Sequence, residues 1–384
     1  MLRNLNTNPK TVDLAVVGGS FAGLACAKRA AERGIDTIVL DRKASAGIKP
    51  HTTGILVKEA AQLLDDCPSA VVRRIEGIRL YSPSLTSLNL QSPQYFFLAT
   101  DTERLLHWMS EQAIASGARC HYDTYINQIE RKNDLWQIQN SSLCSRYLIA
   151  ADGAQSKTAR LLNLDCNQKF LCGVEYEFDE IVGLDREFLH VFLDHELAPG
   201  YIGWIVPGVH SIQVGLAARL PHKPNLTTFI NKLRCLYDFS KSQRLAKRGG
   251  LIPCGGPLKN FTTDNAMTLG DAAGMVSPLT AGGIHTALQL GATAGDAIAD
   301  YLMNRGKNPA RVIKKTCPNY RTKKMLRRLN DTWSPSNKTI DRFFDSPAFR
   351  SFAQVIFFHN RGLFSWQAWR ELWQRYRQHE SHPD

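Results

Sequence analysis

An apolar run, Asp13–Val17, leads into Val16-Val17-Gly18-Gly19-Ser20-Phe21-Ala22-Gly23, and a segment of helical period, Phe21–Glu32, follows at once. A second apolar run, Thr37–Leu40, ends at Asp41. Strand, glycine turn, helix and strand make a βαβ unit, and the turn constrains what the chain can fold into. Gly18 suits the tight turn, and Gly23 lets the helix pack closely on the strand. Ser20 stands at the middle position, where backbone must approach a pyrophosphate; serine departs from glycine there but is small enough to serve. With Gly19, Phe21 and Ala22 these residues form a candidate cradle. The helix N-terminus adds free N–H groups and partial positive charge for phosphates. Asp41, 23 residues after Gly18, is placed to accept hydrogen bonds from a ribose 2′-OH, with Arg42 beside it.

A second segment narrows the ligand. Leu269-Gly270-Asp271-Ala272-Ala273-Gly274 is followed by Ser277-Pro278-Leu279-Thr280-Ala281-Gly282-Gly283-Ile284, with a helical stretch from about Gly283. An apolar strand ends at an aspartate, turns through small residues and opens a new helix. Asp271 suits a polyol hydroxyl such as that of ribityl. The positive end of the helix suits the electron-rich edge of a reduced flavin, and Gly282 and Gly283 let backbone lie against a ring. The pair of segments therefore points to FAD rather than to NAD as the bound dinucleotide.

The fold class expected is α/β (α+β overall). A Rossmann-type, glutathione reductase-like domain spans 10–170 and 255–305, and a β-sheet substrate domain, 171–254, interrupts it. Residues 70–100 are candidates for the substrate sheet, and 306–384 form a helical basic and aromatic region. The periodicity predicts a helix over Thr100–Gly117, a buried strand over Tyr147–Ala151, mixed or antiparallel sheet over Phe178–Ala218 and a strand over Met267–Gly270.

Composition excludes several classes. With 384 residues, 43% apolar and 21% charged, the chain has ordinary globular usage. No apolar run approaches the ~18–20 residues that span a bilayer, and Met1–Val12 has no apolar signal core. The nine cysteines form no CxxC pair, so zinc ribbons and disulfide frameworks are poor readings; no metal is expected, and a reducing, cytoplasmic location is. The net charge is +12, and ten Lys/Arg with no acid lie between Arg305 and Arg328. That run reads as a solvated helical face or as an attraction for an anionic partner. Nucleic acid is not expected, since no binding motif accompanies it.

Gly270–Leu288, GDAAGMVSPLTAGGIHTAL, resembles the second FAD motif of the geranylgeranyl reductase family, within the para-hydroxybenzoate hydroxylase-like flavoproteins. Ala151-Asp152-Gly153-Ala154-Gln155-Ser156 resembles the group's DG motif, which implies Asp152 beside FAD. Arg248–Pro253 resembles the strand that returns to the FAD domain. Pro199–Pro207, PGYIGWIVP, followed by Val214-Gly215-Leu216, resembles the substrate-sheet motif whose aromatics line the cavity beside the flavin. The resemblance covers roughly 10–305. It implies FAD as cofactor, NAD(P)H as electron donor without a fingerprint of its own, and a small hydrophobic substrate. Family members often carry an arginine where Thr102 stands, which leaves Arg104 as the nearest candidate contact to FAD. The family's cysteine is absent from Ile48–Gly54, so His51 and Lys49 are candidates to face the flavin. Of the halogenase pattern W-x-W-x-I-P only Trp204 and Pro207 match.

The expected activity is hydride transfer from reduced FAD to C=C bonds of an isoprenoid or similar lipid. A monooxygenase acting on an aromatic or polyketide-like substrate is the alternative, and a non-catalytic flavin module the second. Candidate catalytic residues are His51, Tyr201 and Trp204; each also has a bland role, as loop or sheet core, and so does His285. Trp366, Trp369, Trp373 and Tyr376 share one helical face, with Phe349, Phe352 and Ile356 as an earlier stripe. These suit either a membrane interface, giving peripheral attachment to an inner membrane face, or packing on the enzyme or a second subunit.

Overall fold

The computed structural model describes residues 10–138, 143–332, 335–358 and Arg370. The aromatic face at Trp366–Tyr376 lies outside the described residues.

Three sheets are seen among the described residues. In the first, β1 (Lys10–Val17), β2 (Thr37–Leu40), β8 (Arg119–His121), β11 (Leu143–Ala150) and β18 (Ala266–Thr268) are parallel, in the order β18-β11-β1-β2-β8. Antiparallel additions are β17 (Thr262–Thr263) at one edge, with β9 (Ile129–Lys132) and β10 (Leu135–Ile138) pairing outward from β11. The strands near the centre are apolar throughout because both faces are covered. On one face lie α1 (Phe21–Glu32), α3 (Thr102–Ala115) and α6 (Ile284–Leu302).

Helices α1 and α6 touch main chain to side chain. A Cβ on Gly291 would stand 2.5 Å from the Ala22 carbonyl oxygen, and one on Gly295 2.5 Å from that of Cys26. The close crossing is flanked by Arg29–Asp296 and Arg33–Asp300 ion pairs. It sets the first turn of α1 against the middle of α6, at Gly291.

The second sheet runs β16-β12-β15-β14-β13-β5-β6. Its members are β5 (Gly77–Tyr81), β6 (Ser87–Gln91), β12 (Phe170–Phe178), β13 (Phe188–Phe192), β14 (Gly203–Pro207), β15 (Ile212–Arg219) and β16 (Arg244–Pro253). Strands from 77–91 therefore do join strands from 170–253. Alternation divides the faces. Ile205, Val214 and Leu216 pack on α5 (Leu226–Leu233), while Ile78, Leu189, Val191 and Val206 face the other way. A small third sheet, β3 (Ile55–Val57), β7 (Phe97–Thr100) and β4 (Val72–Ile75), joins the two, with α2 (Lys58–Ala61) after β3. The short α4 (Lys157–Leu161) follows β11.

Beyond residue 305 come α7 (Pro309–Thr316), α8 (Arg321–Thr332), α9 (Asn337–Phe344) and α10 (Pro347–Phe358). The earlier stripe divides: Phe349 lies on Phe344, Ile356 is half-buried and Phe352 remains exposed, while Phe358, outside the stripe, is buried against Tyr95 and Phe97. The basic run is not one solvated face either. Lys323 and Arg327, one turn apart on α8, are 9% and 3% exposed, so this part of the run turns into the protein. No described helix is long and apolar enough to cross a membrane.

Candidate functional site

A cavity of about 1270 Å³ runs along the carboxyl ends of β1, β2 and β11 and continues under the second sheet. It exceeds the ~300–1,000 Å³ usual for one small ligand. A dinucleotide and a second molecule together suit such a space.

At the dinucleotide end the wall is main chain. Gly18 has φ 106°, and a Cβ there would stand 2.3 Å from the Ala151 carbonyl oxygen; one on Gly23 would stand 2.0 Å from that of Gly18. Both positions admit glycine alone. Ser20 has φ −124°, which any residue adopts, and its side chain makes no capping bond. The departure from glycine at Ser20 thus costs the backbone nothing, and the first-turn N–H groups of α1 are not capped by it. Asp41 accepts from the N–H of Gly19 at 2.6 Å and from that of Lys43 at 2.8 Å, which fixes its carboxylate at the end of β2. Gly18, Gly19, Ser20, Phe21, Ala22, Asp41 and Arg42 all line the cavity. Gly23 does not; its part is the packing of α1 on β1.

Further in, Gly270 (φ 60°) and Gly274 (φ 64°) bracket the turn that presents Asp271. Burial pushes Asp271 up to about 6, the mark of a carboxyl group held in a cavity wall without a cation. Gly283 caps α6 without a side-chain bond, and Gly282, Gly283 and Ile284 line the cavity beside Asp271. A carboxylate, an uncapped helix end and glycine backbone thus meet at one place, as ribityl and an electron-rich ring edge require. The residues present fit FAD. Pro278 is turned away, against Gly256.

One expected contact falls elsewhere. Arg104 is not among the cavity residues: it bonds His210 at 3.2 Å and pairs with Asp101, and its side chain is 63% exposed. The α3 register turns it outward. Thr102, at the position of the family's arginine, is buried under Gly54 and bonds Thr100. Asp152 does line the cavity, but its carboxylate is taken up by Ser156 and by the N–H and hydroxyl of Thr158 at the start of α4.

The three candidate catalytic residues all line the cavity, in different capacities. Tyr201 donates its hydroxyl to the Thr280 carbonyl at 2.7 Å, tying the second sheet to the loop before α6. Burial raises that phenol well above its usual value. His51 sits with Nδ1 3.3 Å from the Gly249 carbonyl oxygen, and burial together with Lys43 holds its charged form down. Trp204 lies flat on Gly215, where a Cβ would stand 2.1 Å from the indole, and its Nε1–H donates to Glu175 at 2.9 Å.

Glu175 went unrecognised in the sequence. It is 5% exposed, lines the cavity, and also accepts from the Thr53 hydroxyl at 2.8 Å. Burial raises its carboxyl above the usual range, against the pull of those two donors and of Arg248. Lys323 is a second such group: a buried ammonium at the cavity wall, 5.6 Å from the Tyr320 ring centre and held down by burial. Tyr95, Glu59 and His285 border the cavity as well, with Tyr95 bonded to Glu59 at 2.9 Å; burial, opposed by Glu59, lowers His285. The far end is walled by Ile78, Phe97, Leu189, Val191, Ile356 and Phe357.

Comparison with known proteins agrees with this geometry. Residues 11–178 match the model of an FAD binding domain. The chain is 29% identical to digeranylgeranylglycerophospholipid reductase 3 of Methanosphaera stadtmanae, over 78% of this chain and 80% of that one. It is 30% identical to reductase 2 of the same organism, over 74% and 76%. Among solved structures, a geranylgeranyl bacteriochlorophyll reductase-like protein from Thermoplasma acidophilum superposes with a TM-score of 0.79 at 19% identity, covering 97% of this chain and 99% of that one. The chain is an FAD-dependent oxidoreductase and belongs to the geranylgeranyl reductase family.

Proposed function

We propose that this enzyme reduces C=C bonds of an isoprenoid lipid, taking electrons from NAD(P)H. The observation that carries this reading is the apolar far end of the cavity, continuous with the Asp271 and Gly282–Gly283 wall. A lipid chain placed there buries its length against Ile78, Leu189, Val191 and Phe357, worth about 0.8 kcal/mol per CH₂ removed from water. The relatives named as reductases of a geranylgeranylated lipid support the same substrate class.

When bound, FAD supplies the hydride chemistry. The chain does the rest. Asp41 and the first turn of α1 hold the adenosine and pyrophosphate end, and Asp271 orients the ribityl chain. The uncapped end of α6 favours negative charge beside Gly283. Trp204, stacked on Gly215, closes one wall, and α10 closes another with Ile356 and Phe357. Water is excluded from the reacting end by the apolar lining.

Product analysis tests this. Incubated with FAD, NADPH and a polyprenyl lipid, the enzyme should return lipid that has gained two hydrogens per reduced bond. A product that has gained oxygen would replace the reductase with a monooxygenase. Contact with an anionic membrane through the exposed lysines and arginines of 305–321 and the chain beyond 358 fits a lipid substrate. A chain ending at residue 358 should then sediment less with anionic vesicles than the full chain; equal sedimentation would remove that part of the proposal.

A further inference from the structure

Reduction of a C=C bond by hydride needs a proton at the second carbon, and so a donor in the cavity wall. We propose that Glu175 is the proton donor: its carboxylic acid, held by Trp204 and Thr53, protonates one carbon of the substrate double bond while the hydride reaches the other. This rests on the reductase reading.

The hydrogen bonds specify which oxygen does it. Trp204 Nε1–H, which can only donate, and the Thr53 hydroxyl both fall on Oε2. Oε2 is thereby fixed as the accepting oxygen, and the acid proton belongs on Oε1. Two donors on the carbonyl oxygen also stabilise the carboxylate left behind, so the acid is strengthened without being ionised in advance. Trp204 is in turn immobilised on Gly215, so the carboxyl is aimed by a ring that cannot turn.

Position supports the role. Glu175 comes from the cavity side of β12, with Trp204 of β14 and Thr53 of the 51–54 loop around it, and all three line the cavity. The charged and titratable groups around it are few. Arg248 of β16 faces it but is paired with Glu177, next on the same face of β12, and His51 lies across at Gly249 with its charged form disfavoured. The burial that raises this carboxyl favours its protonated form to a higher pH than that of an exposed glutamate.

The step balances. The π bond breaks and two C–H bonds form, one from hydride and one from the Oε1 proton. The lipid gains two electrons, reduced FAD loses them, and Glu175 becomes a carboxylate. It regains its proton from water at the mouth of the cavity, where His51 is exposed.

The test uses the full-length FAD-loaded protein and Glu175→Gln. Both should bind FAD with equal affinity, and dithionite should reduce both at equal rates. Mixed anaerobically with a detergent-dispersed polyprenyl lipid, the reduced variant should reoxidise at least ~100-fold more slowly, the scale of a lost general acid. The wild-type rate should fall as pH rises through the raised value of Glu175. Independently of turnover, the wild-type infrared spectrum should hold, to a higher pH than an exposed glutamate would, a carboxylic-acid carbonyl band that moves in D₂O and that Glu175→Gln lacks. Equal reoxidation rates, or a difference spectrum with carboxylate bands only, would overturn the assignment. Should the glutamine variant fail to fold, Glu175→Asp, slowed but with the alkaline fall retained, and the wild-type infrared pH titration decide it. If the lipid fails to reoxidise even the wild type, the reductase reading falls and takes the proton donor with it; if it reoxidises both proteins alike, only the proton donor falls.

Discussion

The dinucleotide end of the cavity is walled by main chain, the substrate end by side chains. At the first, Gly18 and Gly270 have positive φ and close neighbours that favour glycine, Gly23 behind them lets α1 pack on β1, and the ligand is met by N–H groups and two aspartates. At the second, Ile78, Leu189, Val191 and Phe357 from three separate elements face a common space, each replaceable by another apolar residue at modest cost. The difference separates what is fixed by the cofactor from what is free to follow the substrate. Backbone recognition suits a ligand that never changes, and side-chain recognition suits one that does.

The comparison breaks first at Gly23. Gly23→Ala puts a methyl 2.0 Å from the Gly18 carbonyl oxygen, a backbone atom that cannot swing aside. The expected cost is about 3 kcal/mol or more, with loss of bound FAD; a thermal melt and the flavin absorbance of the purified variant check it. Leu189→Ala, at the other end, should cost about 2–3 kcal/mol in stability as a buried truncation, yet leave FAD affinity unchanged and raise the KM for lipid. A fall in FAD affinity there would erase the division between the two ends.

Asp41→Ala should weaken FAD binding by ~1–3 kcal/mol, since it loses the ribose contact and leaves the Gly19 and Lys43 N–H groups unpaired. Fluorescence titration of the apoprotein with FAD measures it. Trp204→Phe keeps a ring on Gly215 but removes the donor to Glu175. Its acid should rise further, so the alkaline fall in lipid-dependent reoxidation should move to higher pH with FAD affinity unchanged; a fall at unmoved pH would detach Trp204 from the acid.

The smallest effect concerns Asp271, raised to about 6 by burial. A folded-state value above the unfolded one means the apoprotein binds more protons than the unfolded chain. Its contribution is therefore fully present below the unfolded value and lost as pH rises through about 6. FAD binding runs the other way, because ribityl hydroxyls donate to the carboxylate. Affinity should weaken several-fold as pH falls through this range, and Asp271→Asn should flatten both trends.

The same division explains what the sequence disclosed. The helix Phe21–Glu32, the strand Thr37–Leu40 and the roles of Gly18, Gly23 and Asp41 were readable because a backbone site has to be written in consecutive residues. The α1–α6 crossing also has a local sign, glycines 291 and 295 one turn apart, that went unread. Glu175 had none. It sits in Val174-Glu175-Tyr176-Glu177, where alternation invites burial of Val174 and Tyr176 and exposure of the acids. The strand is covered on both faces, so that Glu175 lines the cavity and Glu177 is buried with Arg248. Arg104 points elsewhere because proximity in sequence to Thr102 says nothing of direction on a helix, while Asp152 lines the cavity and also bonds the start of α4. The stripe of α10, which suits either an interface or packing, has Phe349 on Phe344 and Phe352 exposed; the packing partners of the neighbouring Phe358, Tyr95 and Phe97, lie some 260 residues earlier in the chain, where local sequence cannot show them.

The central claim is that one cavity holds FAD at its main-chain end and a lipid double bond at its side-chain end. Stopped-flow absorbance of the anaerobically reduced holoenzyme, mixed in parallel with a polyprenyl lipid and with air-saturated buffer, tests it most directly. Rapid recovery of oxidised FAD with lipid and slow recovery with air is the result expected. Rapid recovery with air and none with lipid would contradict it.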